Sequence, residues 1–219
     1  MLTEKQMPER VEVRPAFSTP VIMAMVPEAE KINKALRKTI LAHEKKMPPR
    51  TTYDSNIGGW HSERDLLDWG GAPVQQVVDT AKELADRMTA ARSGRPAEVV
   101  WLSNAWANIN RKGHSNEPHV HPGCFWSGVY YVDDGGCAQN REYGGEFVIS
   151  DPRGAAPSMY APNLCFRGPG GSSVGATELV PPREGVLMMF PAWLLHSVRP
   201  YLGPGTRISI SFNLSVKPD

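Results

Sequence analysis

The sequence has 219 residues, of which 41% are hydrophobic and 21% are charged, a composition typical of a folded globular protein rather than of a disordered chain. Its 24 basic and 23 acidic side chains leave a formal net charge of +1, which removes the main electrostatic argument for a nucleic-acid or membrane-surface partner. Gly and Pro contribute 20 residues each, a share that favours short strands joined by turns over a mainly helical fold.

The sequence shows neither a membrane-spanning segment nor a pattern of paired cysteines. No segment approaches the ~20 consecutive apolar residues that a membrane-spanning helix needs, and Met1–Arg10 lacks the apolar core of a signal peptide. Cys124, Cys137 and Cys165 show no CxxC spacing, which argues against a disulfide framework and against a thiolate zinc site. We therefore expect a cytoplasmic protein whose cysteines are reduced.

Residues 1–96 are predicted to form a strand and supporting helices. The apolar run Pro20–Val26 predicts one buried strand. Pro27 is suited to the first turn of a helix that ends near Lys45–Pro48, and a second apolar stripe predicts a helix over Ala72–Arg92. Neither helix carries catalytic spacing, so we expect both helices to cover a sheet.

From residue 97 onward the pattern changes to short β-rich segments separated by Gly, Pro and Asn. The predicted strands are Glu98–Asn110, Pro118–His121, Trp126–Val132, Glu146–Ser150, Thr177–Val180, Gly185–Phe190, His196–Val198 and Arg207–Val216. These strands predict a mainly β fold, a jelly-roll barrel in a single domain with the N-terminal helices packed on its outer face. Asp151–Gly175 is predicted to be a long loop of the kind that covers a binding mouth.

Two histidines lie two residues apart in the second of these strands. On a strand, His119 and His121 would point to the same face about 6.6 Å apart, so both imidazoles can converge on one ion. A third ligand must come from another strand. His196 is the candidate because it follows the buried run Gly185–Pro191 and a turn. The three imidazoles predict a metal site.

The last predicted strand alternates polar and apolar residues. Its polar face carries Arg207, Ser209, Ser211 and Asn213, while the residues between them are wholly apolar. We expect the polar face to line a polar cavity and the apolar face to pack beneath the N-terminal helices. An arginine in such a cavity suits a carboxylate ligand, because its planar fork can bind two oxygens.

Five segments occur in an order and spacing typical of one enzyme family: His119–His121, Ser127–Val132, Gly144–Phe147, Gly185–His196 and Arg207–Ser209. In these segments the sequence resembles the Fe(II)- and 2-oxoglutarate-dependent oxygenase superfamily, and within it a bacterial branch related to the prolyl-hydroxylase-like enzymes. The resemblance implies a double-stranded β-helix core, cupin-like in architecture, and the cofactors Fe(II) and 2-oxoglutarate. The activity it implies is hydroxylation of an unidentified substrate with O2, coupled to decarboxylation of 2-oxoglutarate to succinate.

The resemblance also implies roles for individual residues. The metal ligands would be His119, His121 and His196. Arg207 would pair with the distal carboxylate of 2-oxoglutarate, and Ser209 would add a hydrogen bond. The further co-substrate contacts would be Tyr131, Asn108 and Asn110. No catalytic residue beyond the metal ligands is implied.

One position departs from the family pattern. The usual triad has two histidines and one carboxylate, whereas His121 stands at the carboxylate position. Glu117 becomes a carboxylate ligand only if the strand bulges. Two other functions stay open, namely a cupin-type three-histidine dioxygenase that uses no 2-oxoglutarate, and a non-catalytic barrel that binds a metal or a small acid. The sequence leaves the substrate and the oligomeric state open, a homodimer included.

Aromatic side chains are further candidates for the mouth of the cavity. Trp106, Trp126 and Trp193 can line it, although a position in the core is the commoner one for a buried aromatic residue. His61 follows Trp60 in the N-terminal part of the chain and is predicted to be a packing or surface histidine rather than a ligand.

Overall fold

The computed structural model describes residues 12, 16–48, 55–154, 164, 166–168, 171–173 and 176–217. These residues form the helices α1 (Ala29–Glu44), α2 (Leu66–Trp69) and α3 (Gly71–Met88). The strands are β1 (Ile22–Met25), β2 (Asn56–Ile57), β3 (Trp60–His61), β4 (Trp101–Asn110), β5 (Ser115–His119), β6 (Trp126–Asp133), β7 (Phe147–Ser150), β8 (Phe166–Gly168), β9 (Gly171–Ser173), β10 (Thr177–Val180), β11 (Val186–Pro191), β12 (His196–Val198) and β13 (Arg207–Val216). The predictions for Met1–Arg10 and Cys165 fall outside the described residues.

Two antiparallel sheets form the framework of the protein. One has six strands in the order β1-β11-β6-β13-β4-β3, and the other has five in the order β10-β7-β12-β5-β2. Most neighbouring strands are distant in sequence, as crossover connections in a jelly roll require. The predicted mainly β, double-stranded β-helix fold is confirmed. Strands β8 and β9 form a separate hairpin inside the predicted loop Asp151–Gly175, most of which lies outside the described residues.

Strand β13 has an apolar core on one face and polar side chains on the other. It pairs with β4 on one side and with β6 on the other, so it lies inside the six-stranded sheet. Its predicted alternation is confirmed, because Ile208, Ile210, Phe212 and Leu214 are fully buried in the core that includes α1 and α3. The polar side chains between them therefore point to the opposite face, toward the second sheet.

The helices cover the outer face of the six-stranded sheet, as predicted. Leu36 and Ile40 of α1 and Val74, Val77 and Val78 of α3 are fully buried in the same core as the apolar face of β13. Their spacing of three and four residues places each set on one side of its helix. Burial of each of these side chains stabilises the fold by roughly 1.5–3 kcal/mol.

The first strand and the first helix differ from their predicted form. The run Pro20–Val26 gives the edge strand β1 rather than a buried strand; it pairs with β11 alone among the described strands, and Met23 and Met25 stay about half exposed. Helix α1 begins two residues after Pro27, because Glu28 adopts a left-handed backbone conformation with φ 55° that a right-handed helix does not contain.

Helix α3 ends at Met88, four residues before the predicted Arg92. Thr89 is extended instead, and its Oγ1 accepts a hydrogen bond from Nε1 of Trp126 at 2.9 Å. Trp126 is thus held in the core beneath the helices with an exposed fraction of 3%. Of the two positions considered for Trp126, the commoner one, in the core, is therefore confirmed.

Apart from β8 and β9, which lie in the predicted loop, the strands from β4 onward differ from their predicted bounds by at most three residues. Strand β4 begins at Trp101 rather than Glu98. Strand β5 spans Ser115–His119 rather than Pro118–His121, so His121 lies beyond its end. Among the helices that the structure describes, none is both long enough and apolar enough to cross a membrane.

Candidate metal centre

Three imidazoles meet on the wall of a cavity between the two sheets. His119 ends β5 and His196 begins β12, and the two residues are directly paired in the five-stranded sheet. His121 lies in the turn after β5, where its backbone N–H donates to the oxygen of Ala192 at 2.9 Å. The ring centroids are 5.1, 4.3 and 5.2 Å apart, and one nitrogen of each ring lies within 4.8 Å of the others. This spacing can hold one metal ion.

The predicted geometry of the cluster is wrong in one respect, because His121 lies in the turn after β5 and not on the strand. His119 and His121 do not share one strand face; the turn brings their rings together. Glu117 does not join the cluster, because its side chain is exposed and only its backbone oxygen contacts a ligand candidate, His119 Nδ1, at 2.7 Å. Among the described residues, the cluster therefore contains no carboxylate.

Backbone hydrogen bonds orient two of the three rings. His119 Nδ1 donates to the oxygen of Glu117 and His196 Nδ1 donates to the oxygen of Leu194, each at 2.7 Å, because a carbonyl oxygen can only accept. In both rings Nε2 is then unprotonated and can bind a cation. In His119 this nitrogen accepts a hydrogen bond from Oγ of Ser55 at 3.4 Å, which a bound metal would replace. The His196 ring is further held by the ring of Phe147, stacked on it at a centroid distance of 5.0 Å.

Burial keeps the three imidazoles neutral. It lowers the pKa of His119, and it is the largest cause of a pKa of about 4 for His121 and of about 3 for His196. Positive charge on His119 would repel charge on the other two rings, and Arg64 further lowers the pKa of His121. The neutral imidazole is the form that binds metals, so the cluster is prepared for a divalent cation.

The cavity has a volume of about 220 Å³ and a positive lining. Four histidines line it, together with Arg64 and Arg207, and no Asp or Glu is found among the described residues that line it. The volume is below the roughly 300–1,000 Å³ of sites that take drug-sized ligands. The cavity therefore suits a small anion.

Three neighbouring strands place the predicted co-substrate residues side by side. In β13, Arg207 pairs with Asn110 of β4, whereas Ser209 pairs with Asn108 of β4 and with Tyr131 of β6. All five side chains are buried. The guanidinium carbon of Arg207 lies 5.2 Å from the centroid of the Tyr131 ring. Arg207 is therefore held on the six-stranded sheet, while two of the imidazoles belong to the opposite sheet.

Polar atoms in this group lack a partner in the protein. Nε of Arg207, the hydroxyl of Tyr131 and Nδ2 of Asn110 are buried and make no hydrogen bond to a described residue. A buried donor without an acceptor costs roughly 1–3 kcal/mol. Burial raises the pKa of Tyr131, which keeps its hydroxyl protonated as a donor. Of the three residues, Arg207 lines the cavity, and a carboxylate there, which only accepts hydrogen bonds, fits its unpaired Nε donor.

The predicted co-substrate residues contribute to the cavity in different ways. Arg207, Ser209 and Asn108 line it, whereas Tyr131 and Asn110 lie outside its lining. Asn108 Nδ2 donates to Oγ of Ser211 at 3.0 Å, so one of its amide donors already serves the protein.

A glycine permits the close packing behind Arg207. Gly145 has φ 70°, and a Cβ there would lie 3.3 Å from Cδ of Arg207 and 3.6 Å from Sγ of Cys137. Both the backbone conformation and the space favour glycine at this position. The Gly144–Phe147 segment thus helps to position the arginine side chain.

Residues of the N-terminal part also line the cavity, which the sequence did not indicate. They are Ser55, Asn56, His61 and Arg64. His61 is a buried packing residue, as expected, and its ring stacks on that of Trp106 at a centroid distance of 5.7 Å; it lies outside the metal cluster but lines the cavity. Pairing of β3 with β4 sets His61 beside Asn108. A strand of two residues is too short to show a periodic pattern, so no sequence signal could locate it.

Of the tryptophans predicted at the mouth, Trp106 lines the cavity. Its ring centroid lies 6.1 Å from that of His121 and 5.3 Å from the guanidinium carbon of Arg64. Trp193 is 59% exposed and lies outside the lining, so it takes neither the place at the mouth nor the commoner place in the core.

One family model matches the sequence. Its description is "Putative 2OG-Fe(II) oxygenase", and it matches residues 104–213. That range begins in β4 and ends in β13, so it contains all eight predicted site residues. No curated protein matches the sequence.

Solved structures share the fold at low sequence identity. A Pseudomonas putida prolyl-4-hydroxylase is similar with a TM-score of 0.61 and 13% identity, over 92% of this chain and 95% of that one. A Trichoplax adhaerens prolyl hydroxylase, in complex with a hypoxia inducible factor peptide fragment, is similar with a TM-score of 0.60 and 11% identity, over 89% of this chain and 83% of that one. HygX from Streptomyces hygroscopicus, with nickel and 2-oxoglutarate bound, is similar with a TM-score of 0.57 and 11% identity, over 91% of this chain and 83% of that one. At these identities the likeness shows the jelly-roll fold.

Proposed function

The chain belongs to the 2OG-Fe(II) oxygenase family, and from this membership we propose that it hydroxylates a C–H bond of its substrate while decarboxylating 2-oxoglutarate to succinate. The family uses Fe(II) and 2-oxoglutarate. One observation carries the proposal: a single small cavity has three neutral imidazoles on one wall and the buried guanidinium of Arg207 on the other.

We assign the iron to His119, His121 and His196. Three neutral nitrogen donors suit Fe(II), and three protein ligands leave coordination positions for other molecules. When bound, Fe(II) supplies the redox chemistry by which O2 converts 2-oxoglutarate to succinate and CO2 and adds one oxygen atom to the substrate. The protein's own groups determine where the two organic molecules lie.

The residues of the six-stranded sheet would hold 2-oxoglutarate. Arg207 would bind the distal carboxylate through charge-assisted hydrogen bonds, and the hydroxyl of Ser209, which lines the same cavity, would donate a further one. Tyr131 would support the arginine from outside the lining, with its ring 5.2 Å from the guanidinium carbon. Phe147 and Phe190, which contact the ring of His196, narrow the cavity with apolar surface and exclude bulk water from it.

His121→Asp should keep metal binding, with an affinity within about tenfold of the wild type, because carboxylate and imidazole are both ligands of Fe(II). The aspartate would make the site one charge less positive, so 2-oxoglutarate should bind more weakly. Anaerobic Fe(II) titration followed by 2-oxoglutarate titration measures both effects. His114→Asp is the matched control outside the cluster. Loss of metal from the His121 variant would mean that this position is not equivalent to the family's carboxylate.

A second candidate function is a three-histidine dioxygenase that binds its substrate directly to iron and needs no 2-oxoglutarate. The absence of a carboxylate from the cluster, among the described residues, favours it. In that case Arg207 and Ser209 would bind a carboxylate of the substrate. The two functions differ in whether succinate is formed.

Succinate formation tests the proposed function. The purified protein, supplied with 2-oxoglutarate, O2 and Fe(II), should form succinate slowly even without its substrate, and Zn(II) in place of Fe(II) should give none. Quantification of succinate by mass spectrometry, with parallel measurement of bound metal, shows whether the protein decarboxylates 2-oxoglutarate and whether this requires iron. Bound iron without succinate or 2-oxoglutarate binding would favour the second candidate or a non-catalytic barrel.

The cell compartment is part of the proposal. Cys124 and Cys137 are free thiols, and Cys137 is buried. A reducing cytoplasm would keep both thiols, and iron, in the reduced form that the proposed reaction needs. The cytoplasmic location therefore stays a prediction tied to this function.

A further inference from the structure

We propose that the hydroxyl of Ser55 binds the 2-oxo acid end of the co-substrate, by donating a hydrogen bond to the carboxylate that lies beside the metal ion. The proposal rests on the proposed function, because it adds a co-substrate residue to the same cavity. Ser55 stands just before β2 and lines the cavity next to His119. The family match, over residues 104–213, does not include it.

The backbone of Ser55 is fixed against the strand that carries His119. Its carbonyl oxygen accepts a hydrogen bond from the backbone N–H of Glu117 in β5 at 2.8 Å. The two residues that follow Ser55 form β2, which pairs with β5 in antiparallel register. The serine side chain is half-buried. Ser55 and His119 therefore keep a defined separation.

Asn116 fixes the direction in which the Ser55 hydroxyl donates. Nδ2 of Asn116 donates to Oγ of Ser55 at 3.2 Å and to Oδ1 of Asn56 at 2.7 Å. An amide NH2 group only donates, so Oγ of Ser55 accepts in this contact and its single proton must point elsewhere. In the structure that proton points to Nε2 of His119, at 3.4 Å.

Metal binding takes this acceptor away from the hydroxyl. Nδ1 of His119 donates to the oxygen of Glu117, so the ion takes the lone pair of Nε2. A metal ion lies roughly 2.1 Å from a histidine nitrogen, so Oγ of Ser55, 3.4 Å from Nε2, would be at most about 5.5 Å from the ion. An oxygen ligand roughly 2.1 Å from the ion and a hydrogen bond of roughly 2.8 Å together span about 4.9 Å. The hydroxyl can therefore reach an oxygen atom bound beside the ion.

The carboxylate next to the 2-oxo group is the acceptor that the proposed function provides at this place. Decarboxylation breaks the bond between that carboxylate and the 2-oxo carbon, so this end of 2-oxoglutarate must lie at the iron while Arg207 binds the other end. A carboxylate only accepts hydrogen bonds, and a hydrogen bond to an ionised group is about twice as strong as a neutral one. Exchange of the imidazole for the carboxylate would thus strengthen the hydrogen bond that Ser55 makes.

Two 2-oxo acids test the role of the hydroxyl. Ser55→Ala should weaken the binding of 2-oxoglutarate and of 2-oxopentanoate, which lacks the distal carboxylate, by the same factor of about five to ten. Calorimetric titration of each acid into iron-loaded protein, without oxygen, measures both affinities. The variant should fold, because the backbone hydrogen bond to Glu117 and the pairing of β2 remain.

Two further variants serve as controls. Ser55→Thr keeps a hydroxyl and should bind both acids within about threefold of the wild type, since the hydrogen bond is retained. Ser150→Ala removes a half-buried serine outside this cavity and should change neither affinity.

Iron affinity separates this role from simple support of the His119 ring. If Ser55 only held the ring in place, Ser55→Ala should weaken iron binding. We expect iron to bind at least as tightly as in the wild type, because the hydroxyl no longer competes for Nε2 of His119. Anaerobic equilibrium dialysis measures the iron affinity of both proteins.

Four outcomes would overturn the proposal: unchanged affinity for both acids in Ser55→Ala, a loss for 2-oxoglutarate alone, an equal loss in Ser55→Thr, or weaker iron binding in Ser55→Ala. If the wild type binds 2-oxoglutarate normally, each of these leaves the proposed function in place. A wild-type protein that binds iron but neither 2-oxo acid would overturn the proposed function, and the role of Ser55 with it.

Discussion

Replacing His196 with alanine should abolish Fe(II) binding and leave the protein folded. The wild type should bind one equivalent of iron, and the variant less than about a tenth of that, because two imidazoles rarely retain a metal that three hold. His196 is 3% exposed and begins a strand that pairs with a neighbouring strand on each side through its backbone. The ring itself makes one hydrogen bond to the backbone, to the oxygen of Leu194, so its removal leaves the strand pairing intact. Anaerobic equilibrium dialysis measures the bound iron.

The loss must be separated from a general effect on the fold. Alanine leaves a gap beside Phe147 and Phe190, so His196→Gln, which keeps more of the volume, should be examined in parallel. His114→Ala is the matched control: its Nδ1 accepts a hydrogen bond from the Arg111 backbone, outside the cluster, and its iron content should stay at one equivalent. A folded His196→Ala protein that still held one equivalent would remove His196 from the metal site.

Strong local alternation explains why one half of the site could be predicted in detail. The strand Arg207–Val216 is confirmed to the residue, since polar and apolar residues alternate at every position and both faces are largely buried as far as Leu214. The polar face then gives the position of Arg207 and Ser209 in the cavity without knowledge of any other strand. A pattern of period two is a property of the chain itself, so the sequence alone carries it.

The other half depends on contacts that no local pattern encodes. His119 and His121 meet because a turn is held by a hydrogen bond from His121 to Ala192, far along the chain. Arg64 and His61 reach the cavity because the two-residue strand β3 pairs with β4. Where helix α3 ends, the extended residue Thr89 is held by a hydrogen bond from Trp126, far along the chain. Each is a tertiary interaction that overrides or adds to the local preference.

Arg207→Ala should weaken 2-oxoglutarate binding by about 2–3 kcal/mol, or roughly 30- to 150-fold, the scale of a lost pair of charge-assisted hydrogen bonds. Iron binding should persist, because Arg207 belongs to the six-stranded sheet and the cluster does not use it. Arg207→Lys should lose less, since it keeps the charge but not the planar fork. Calorimetric titration of 2-oxoglutarate into iron-loaded protein, without oxygen, measures the three affinities.

A second ligand tests whether Arg207 acts on the distal carboxylate itself. 2-Oxopentanoate has the same five-carbon chain and the same 2-oxo acid end but no distal carboxylate, so Arg207→Ala should barely change its affinity. The difference between the two ligands isolates the interaction of the guanidinium with that carboxylate, as a double-mutant cycle does. An equal loss for both ligands would mean that Arg207 supports the cavity as a whole. Unchanged affinity for both would assign the co-substrate to another part of the cavity, because a guanidinium that bound the carboxylate could not be removed without loss.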